Sequence, residues 1–317
     1  MLLDCVNIAL SPLIITWYYI KRKVFLTRKQ FPCVLITGGS SGIGQSLAIE
    51  FSKCKYVKTL IIVGRNENRL KSTIELCQKN NPDKTEKKIL YKCADVRNTA
   101  DMKRYINEWN EQYHLDLVIA NDETIDAGIS VTTMDQHSTS YNITSKILFD
   151  VNVTGVTNTI APAITMFQRR FEKDGASGHI AVVGSLSGYF ATCDSCAYSG
   201  LYKTHFFRIN TTKSMVRFLC EDLRPQLAKW NIDLTWIGPA FTGSNMCPTE
   251  LNSHRLGFRT SEQAASIIRT SLEWNEECID FPTHVFTLAS LLGSMHPIFF
   301  SLFSDTNCSQ EYADYNF

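Results

Sequence analysis

The chain has 317 residues, enough to bury a sizeable core, and reads most simply as one α/β domain with terminal additions. Its 32 lysines and arginines against 31 acids leave a formal net charge of +1, so the balance gives no argument for a nucleic-acid partner. Eleven cysteines at irregular intervals do not make a disulfide framework, which predicts reduced thiols in a cytosol-facing domain.

The first element, residues 2–20, is nearly long enough to span a bilayer, although Asp4, Asn7 and Pro12 interrupt it. Lys21, Arg22 and Lys23 follow, with Arg28 and Lys29 close behind, and such charge tends to stay cytoplasmic. Residues 1–30 are therefore expected to be an anchor with a basic flank. The alternative is a helix buried on the domain itself, in a cytoplasmic protein.

Residues 33–37 form a short apolar run that ends in glycines, the pattern of a buried strand feeding a turn. A helix is expected over 43–52, a strand over 60–63 closed by Gly64, and a charged helix over 66–80. Strands follow at 89–94 and 115–120, with a helix around 102–112 between them. A long helix is expected over 147–170, a strand over 179–183, a helix over 215–229 and a strand over 232–237. This alternation predicts an α/β fold with a doubly wound parallel sheet and helices on both faces, over residues 31–280. Cys193 and Cys196 lack a second pair or a histidine at metal-ligand spacing, so no metal is expected. Residues 281–317 are an extension whose apolar part, 285–303, leaves three readings open: a cap on a substrate cleft, a homodimer contact or a membrane contact.

The segment TGGSSGIG, residues 37–44, lies where a strand meets a helix. Gly38, Gly42 and Gly44 suit a backbone that turns tightly and approaches a pyrophosphate, with Thr37, Ser40, Ser41 and Ile43 between and around them. The helix that follows offers free N–H groups and the positive end of its dipole. This segment resembles the fingerprint of the short-chain dehydrogenase/reductase family, and similar segments recur in family order to about Met246. The resemblance implies a Rossmann-like fold and a nicotinamide cofactor. It gives Asp95 and Val96 an adenine-side role, Asn121 a place in the motif closing around the adenine, and Pro239 and Ser244 a place beside the nicotinamide. After the second strand stand Gly64 and Arg65 where an NAD enzyme usually has an acid; a guanidinium suits a 2′-phosphate, which predicts NADP(H).

The resemblance also implies the catalytic group. Asn152 in VNVTG looks like the helix asparagine that supports a water relay, and Ser185 in VVGSLSG looks like the serine that orients the carbonyl oxygen. Tyr198, thirteen residues after Ser185, looks like the proton donor. The family lysine comes four residues after that tyrosine, on the same helical face, but position 202 here is Tyr202. Setting residues 200–210 aside restores the motif with Lys213 as its lysine. On an unbroken helix Lys213 would lie about 22 Å from Tyr198, so the interruption is expected to loop out. A second interruption, residues 122–126, splits VIAN from AGI.

The N-terminal segment, TGGSSGIG and GRNE are similar to membrane-anchored 3-ketodihydrosphingosine reductases. This implies an NADPH-dependent reductase of a lipophilic ketone such as 3-ketosphinganine, at the endoplasmic reticulum with its catalytic domain facing the cytosol. Two rivals stay open: a retinoid, steroid or fatty-alcohol dehydrogenase, and a catalytically impaired nucleotide-binding scaffold.

Overall fold

The side chains of β1, Cys33–Ile36, divide alternately between two cores: Cys33 and Leu35 join one, Val34 and Ile36 the other. The same alternation runs through β4, Leu117–Ala120, and β5, Gly178–Val183, because successive side chains of a strand point to opposite faces. Strands that are apolar throughout and buried on both sides call for a parallel sheet covered by helices.

The computed structural model has that sheet. It describes residues 28–81, 86–123, 146–189, 205–244 and 257–283. Completing the sheet are β2 (Thr59–Gly64), β3 (Lys88–Cys93), β6 (Ile232–Pro239) and β7 (Cys278–Phe281), in the order β3-β2-β1-β4-β5-β6-β7. Every pairing is parallel. Leu47 and Phe51 of α1 (Gly42–Ser52), Leu70 of α2 (Glu67–Lys79) and Ile268 of α6 (Ser261–Glu273) fill one core. Met102 of α3 (Thr99–Tyr113), Phe167 of α4 (Val156–Asp174) and Cys220 of α5 (His205–Leu227) fill the other. Helices thus cover both faces, as expected of a doubly wound Rossmann-like sheet.

Local chemistry sets the helix starts. Asn66 accepts the N–H of Arg69 at 3.0 Å, and Asn98 that of Asp101 at 3.1 Å. Thr260 and Gln263 form a reciprocal capping box at the start of α6.

Four elements differ from the sequence reading. The helix expected over 215–229 already runs from His205, so residues 205–210 are helical and do not loop out. Their backbone carries forward the i to i−4 ladder that holds Lys213. The helix α6 and the seventh strand β7 have no counterpart among the expected elements, although Thr260 and Gln263 bracket a capping-box signature. The long helix is present but contains a π-helical turn, Asp150–Gly155. Its full length, Lys146–Asp174, is apolar and long enough to cross a bilayer, yet half of its most apolar stretch is buried against the fold.

The expected anchor over 2–20 lies outside the described residues, as do 285–303, Cys193 and Cys196. Part of the basic flank is used by the domain. Lys29 donates its N–H to Glu273 O at 2.7 Å and pairs with Asp233, while the Arg28 guanidinium lies 4.9 Å from the Trp274 ring centre. The chain therefore joins the domain beside Asp233, at the amino end of β6.

Candidate active site

The strand order reverses between β1 and β4. In an open α/β sheet, ligands bind in the crevice outside the carboxyl ends of such a pair. The glycine turn after β1 opens onto it. Gly42 adopts a φ of +55°, a left-handed conformation that side chains disfavour. At Gly44 a Cβ would stand 2.3 Å from Gly38 O and 2.4 Å from Asn121 Nδ2, so only glycine fits. Asn121 laces the turn to β4: its N–H donates to Thr37 Oγ1 at 3.1 Å and its amide to Gly38 O at 3.4 Å. Ser41 makes no side-chain cap on α1, which leaves the first-turn amides around Ile43 for an anion.

The next strands wall the adenosine side. Arg65 is exposed just past β2, and a Cβ on Gly64 would lie 3.2 Å from Ser40 Oγ, so Ser40 faces the end of that strand. Asp95 is gripped by Arg97, with Nη2 to Oδ2 at 2.5 Å, and that hydrogen bond holds its carboxyl below the ordinary aspartate range despite partial burial. Val96 turns its side chain into the core against Gly155, and its carbonyl accepts Asn158 Nδ2 at 2.9 Å. Its side chain serves packing and does not face the crevice.

The other half is built around α5. Lys213 is buried on this helix. Asn152, in the π turn, donates its amide to Thr212 Oγ1 at 3.3 Å, joining the two helices next to Lys213. Ser185 follows β5, and its Oγ accepts the Ser187 N–H at 3.1 Å to open a 3-10 turn, Leu186–Gly188. The Gly188 carbonyl then accepts Ser214 Oγ at 3.1 Å and Arg217 Nε at 3.0 Å. The segment bearing Ser185 is thereby tied to the helix bearing Lys213. Tyr198 lies outside the described residues; the residue four before Lys213 in α5 is Ile209. After Pro239 ends β6, Gly243 N–H donates to Arg259 O at 2.9 Å. Ser244 Cβ comes within 3.2 Å of where a Cβ on Gly42 would lie, so this segment reaches back to the glycine turn.

Two acids from the segment 122–126, set aside as an interruption, complete the site. Glu123 Oε1 lies 2.8 Å from Lys213 Nζ, with side chains 15% and 3% exposed. Asp122 Oδ2 is enclosed with no hydrogen-bond partner among the described residues. Burial raises the Asp122 pKa to about 6, against the pull of the Thr37 hydroxyl and Arg65. In the sequence these acids look like part of a solvated loop, and no local pattern announces their partners.

Sheet, crevice and glycine turn define a Rossmann-like domain suited to a dinucleotide. The chain belongs to the short-chain dehydrogenase family, whose model, described as short chain dehydrogenase, matches residues 32–254. An uncharacterized oxidoreductase of Staphylococcus epidermidis is 26% identical over 215 residues, covering 67% of this chain and 78% of the relative. An 11-beta-hydroxysteroid dehydrogenase of Pinus massoniana is 28% identical over 214 residues, covering 67% of this chain and 52% of the relative. A solved short-chain dehydrogenase from Sphingobium yanoikuyae in complex with NADPH superposes with a TM-score of 0.62 at 21% identity, over 90% of this chain and 96% of that one. At that identity the superposition shows the shared fold.

Proposed function

We propose that the chain is an NADPH-dependent reductase of a ketone on a lipophilic substrate. The observation that carries the cofactor is Arg65 just past Gly64, with Ser40 facing the same strand end and no carboxylate at the position of a ribose contact. NADPH, when bound, supplies the hydride. Ser185 donates a hydrogen bond to the carbonyl oxygen as negative charge develops there. Tyr198 gives that oxygen its proton, and the Lys213 ammonium favours the phenolate left behind. Asn152, acting through Thr212, holds α5 in register with the π turn.

The lipophilic substrate is supported by the apolar runs 2–20 and 285–303 of the sequence, and 3-ketosphinganine is the member of that class that the sequence reading favours. The relative named as a hydroxysteroid dehydrogenase keeps a steroid ketone in the same class. An anchor over 1–30, the catalytic domain over 31–280 and the extension over 281–317 complete this reading, at the endoplasmic reticulum with the domain facing the cytosol.

The test is NADPH consumption by the full chain with long-chain 3-keto amines, steroid ketones and retinal. Turnover with one of them, lowered about 10²-fold by Ser185→Ala with NADPH binding intact, is expected. Tyr198→Phe should abolish the same turnover. A second reading, a cofactor binder with impaired turnover, is favoured by the Glu123 carboxylate on Lys213 and by the helical course of residues 205–210. NADPH binding without turnover on any carbonyl compound of the panel would select it.

A further inference from the structure

Glu123 lies two residues past Asn121, whose side chain reaches the Gly38 carbonyl of the glycine turn. The Glu123–Lys213 pair therefore stands at the carboxyl ends of β1 and β4, inside the crevice where the strand order reverses. A dinucleotide whose pyrophosphate sits at the start of α1 must send its second half across that crevice, toward the segments that follow β5 and β6. Lys213 is the buried cation on that side, and Ser185 is tied to its helix.

An ammonium withdrawn from water needs a counter-charge, and among the described residues Glu123 supplies it. The nicotinamide-side ribose would bring only neutral hydroxyls to that nitrogen. In a dry site a full carboxylate holds an ammonium more strongly than a hydroxyl does. A ribose reaching Lys213 Nζ would therefore have to compete with Glu123 for it.

We propose that Glu123 is an internal competitor for Lys213: it holds the ammonium until the nicotinamide-side ribose displaces it, and so weakens binding of the whole dinucleotide while leaving its adenosine half untouched. Glu123, in the stretch set aside as an interruption, is then a working part of the site that sets cofactor affinity. This inference rests on the nicotinamide-dinucleotide reading above, and its test separates the two.

The full chain is titrated with NADPH and with adenosine 2′,5′-bisphosphate, which lacks the nicotinamide half. Glu123→Gln should bind NADPH at least about tenfold more tightly, with bisphosphate affinity changed less than about twofold. Glu123→Gln leaves a buried ammonium without its charge partner, so Lys213→Met and the double variant complete a cycle in which the pair is replaced by neutral groups. In the Lys213→Met background, Glu123→Gln should change NADPH affinity less than about twofold, because no ammonium remains to compete for. If the tenfold gain persists there, Glu123 acts by repelling phosphate and the competition is refuted. NADPH affinity that is unchanged or weaker in Glu123→Gln also overturns the proposal, the weaker case making Glu123 part of the ribose grip. If the bisphosphate binds and these outcomes appear, the cofactor reading survives alone. If neither ligand binds any of the chains, the cofactor reading falls and takes the proposal with it.

Discussion

Gly44 faces the Gly38 carbonyl so closely that a methyl group on it would stand 2.3 Å from that oxygen. The same methyl would meet Asn121 Nδ2 at 2.4 Å, so backbone and side chain on both sides would have to move. Gly44→Ala should therefore destabilise the domain by about 1–3 kcal/mol, as overpacked sites do. It should also abolish binding of adenosine 2′,5′-bisphosphate, because the turn that aims the α1 amides is displaced. Denaturant unfolding and a binding titration of the same preparation check both parts; a variant with normal stability and affinity would show that the turn tolerates a side chain.

On the function proposed above, Arg65 selects the cofactor. NADPH should bind more tightly than NADH, and Arg65→Ala should remove on the order of 1.5–3 kcal/mol of that preference, the value of a hydrogen bond to a charged group. Competitive titration of the two cofactors measures it. Equal affinities in the unaltered chain would remove the assignment to NADPH.

Asp122 makes stability depend on pH in an unusual direction. Its pKa is raised by burial from 3.8 to about 6, so the folded chain keeps a proton that the unfolded chain gives up. Below the unfolded value both states are protonated and the residue contributes nothing. Between about 4 and 6 the unfolded state binds fewer protons, so stability falls as pH rises, and above that window the loss is complete and constant. Asp122→Asn cannot ionise and escapes this loss. Its stability relative to the unaltered chain should rise by on the order of 1–3 kcal/mol between pH 4 and pH 7. Paired thermal melts across that range give the difference; a flat difference would mean that Asp122 is not desolvated.

The N-terminal segment should be separable from the domain. Removing residues 1–23 leaves Arg28 and Lys29 in place, and with them the Lys29 N–H bond to Glu273 O at 2.7 Å and the pairing with Asp233. The truncated chain should keep its Tm while moving from the membrane fraction to the soluble one. If it stays with membranes, the anchor is elsewhere, with residues 285–303 next to be removed. A full-length chain already soluble would end the anchor proposal.

The layered α/β fold was legible in the sequence because its determinants are local. Apolar runs such as 33–37 and 115–120 mark strands buried on both faces, and glycines at 38, 42 and 44 mark a turn that tolerates no bulk. Asn66 and Asn98 stop the chain and start helices through bonds to amides three residues away. Ser185 and Lys213 came instead from the resemblance to the short-chain dehydrogenase family, on the segments VVGSLSG and TTKS. The tertiary structure alone decided how these pieces meet. It put the Asn152 amide on Thr212, sent the Val96 side chain into the core, brought Ser244 back to the glycine turn and kept residues 205–210 in the helix of Lys213. Above all it set Glu123 on Lys213, two residues far apart in the chain. No local pattern encodes such a pair. Its strength comes from the exclusion of water around both charges, and that exclusion exists only after the sheet has closed and its crevice has formed.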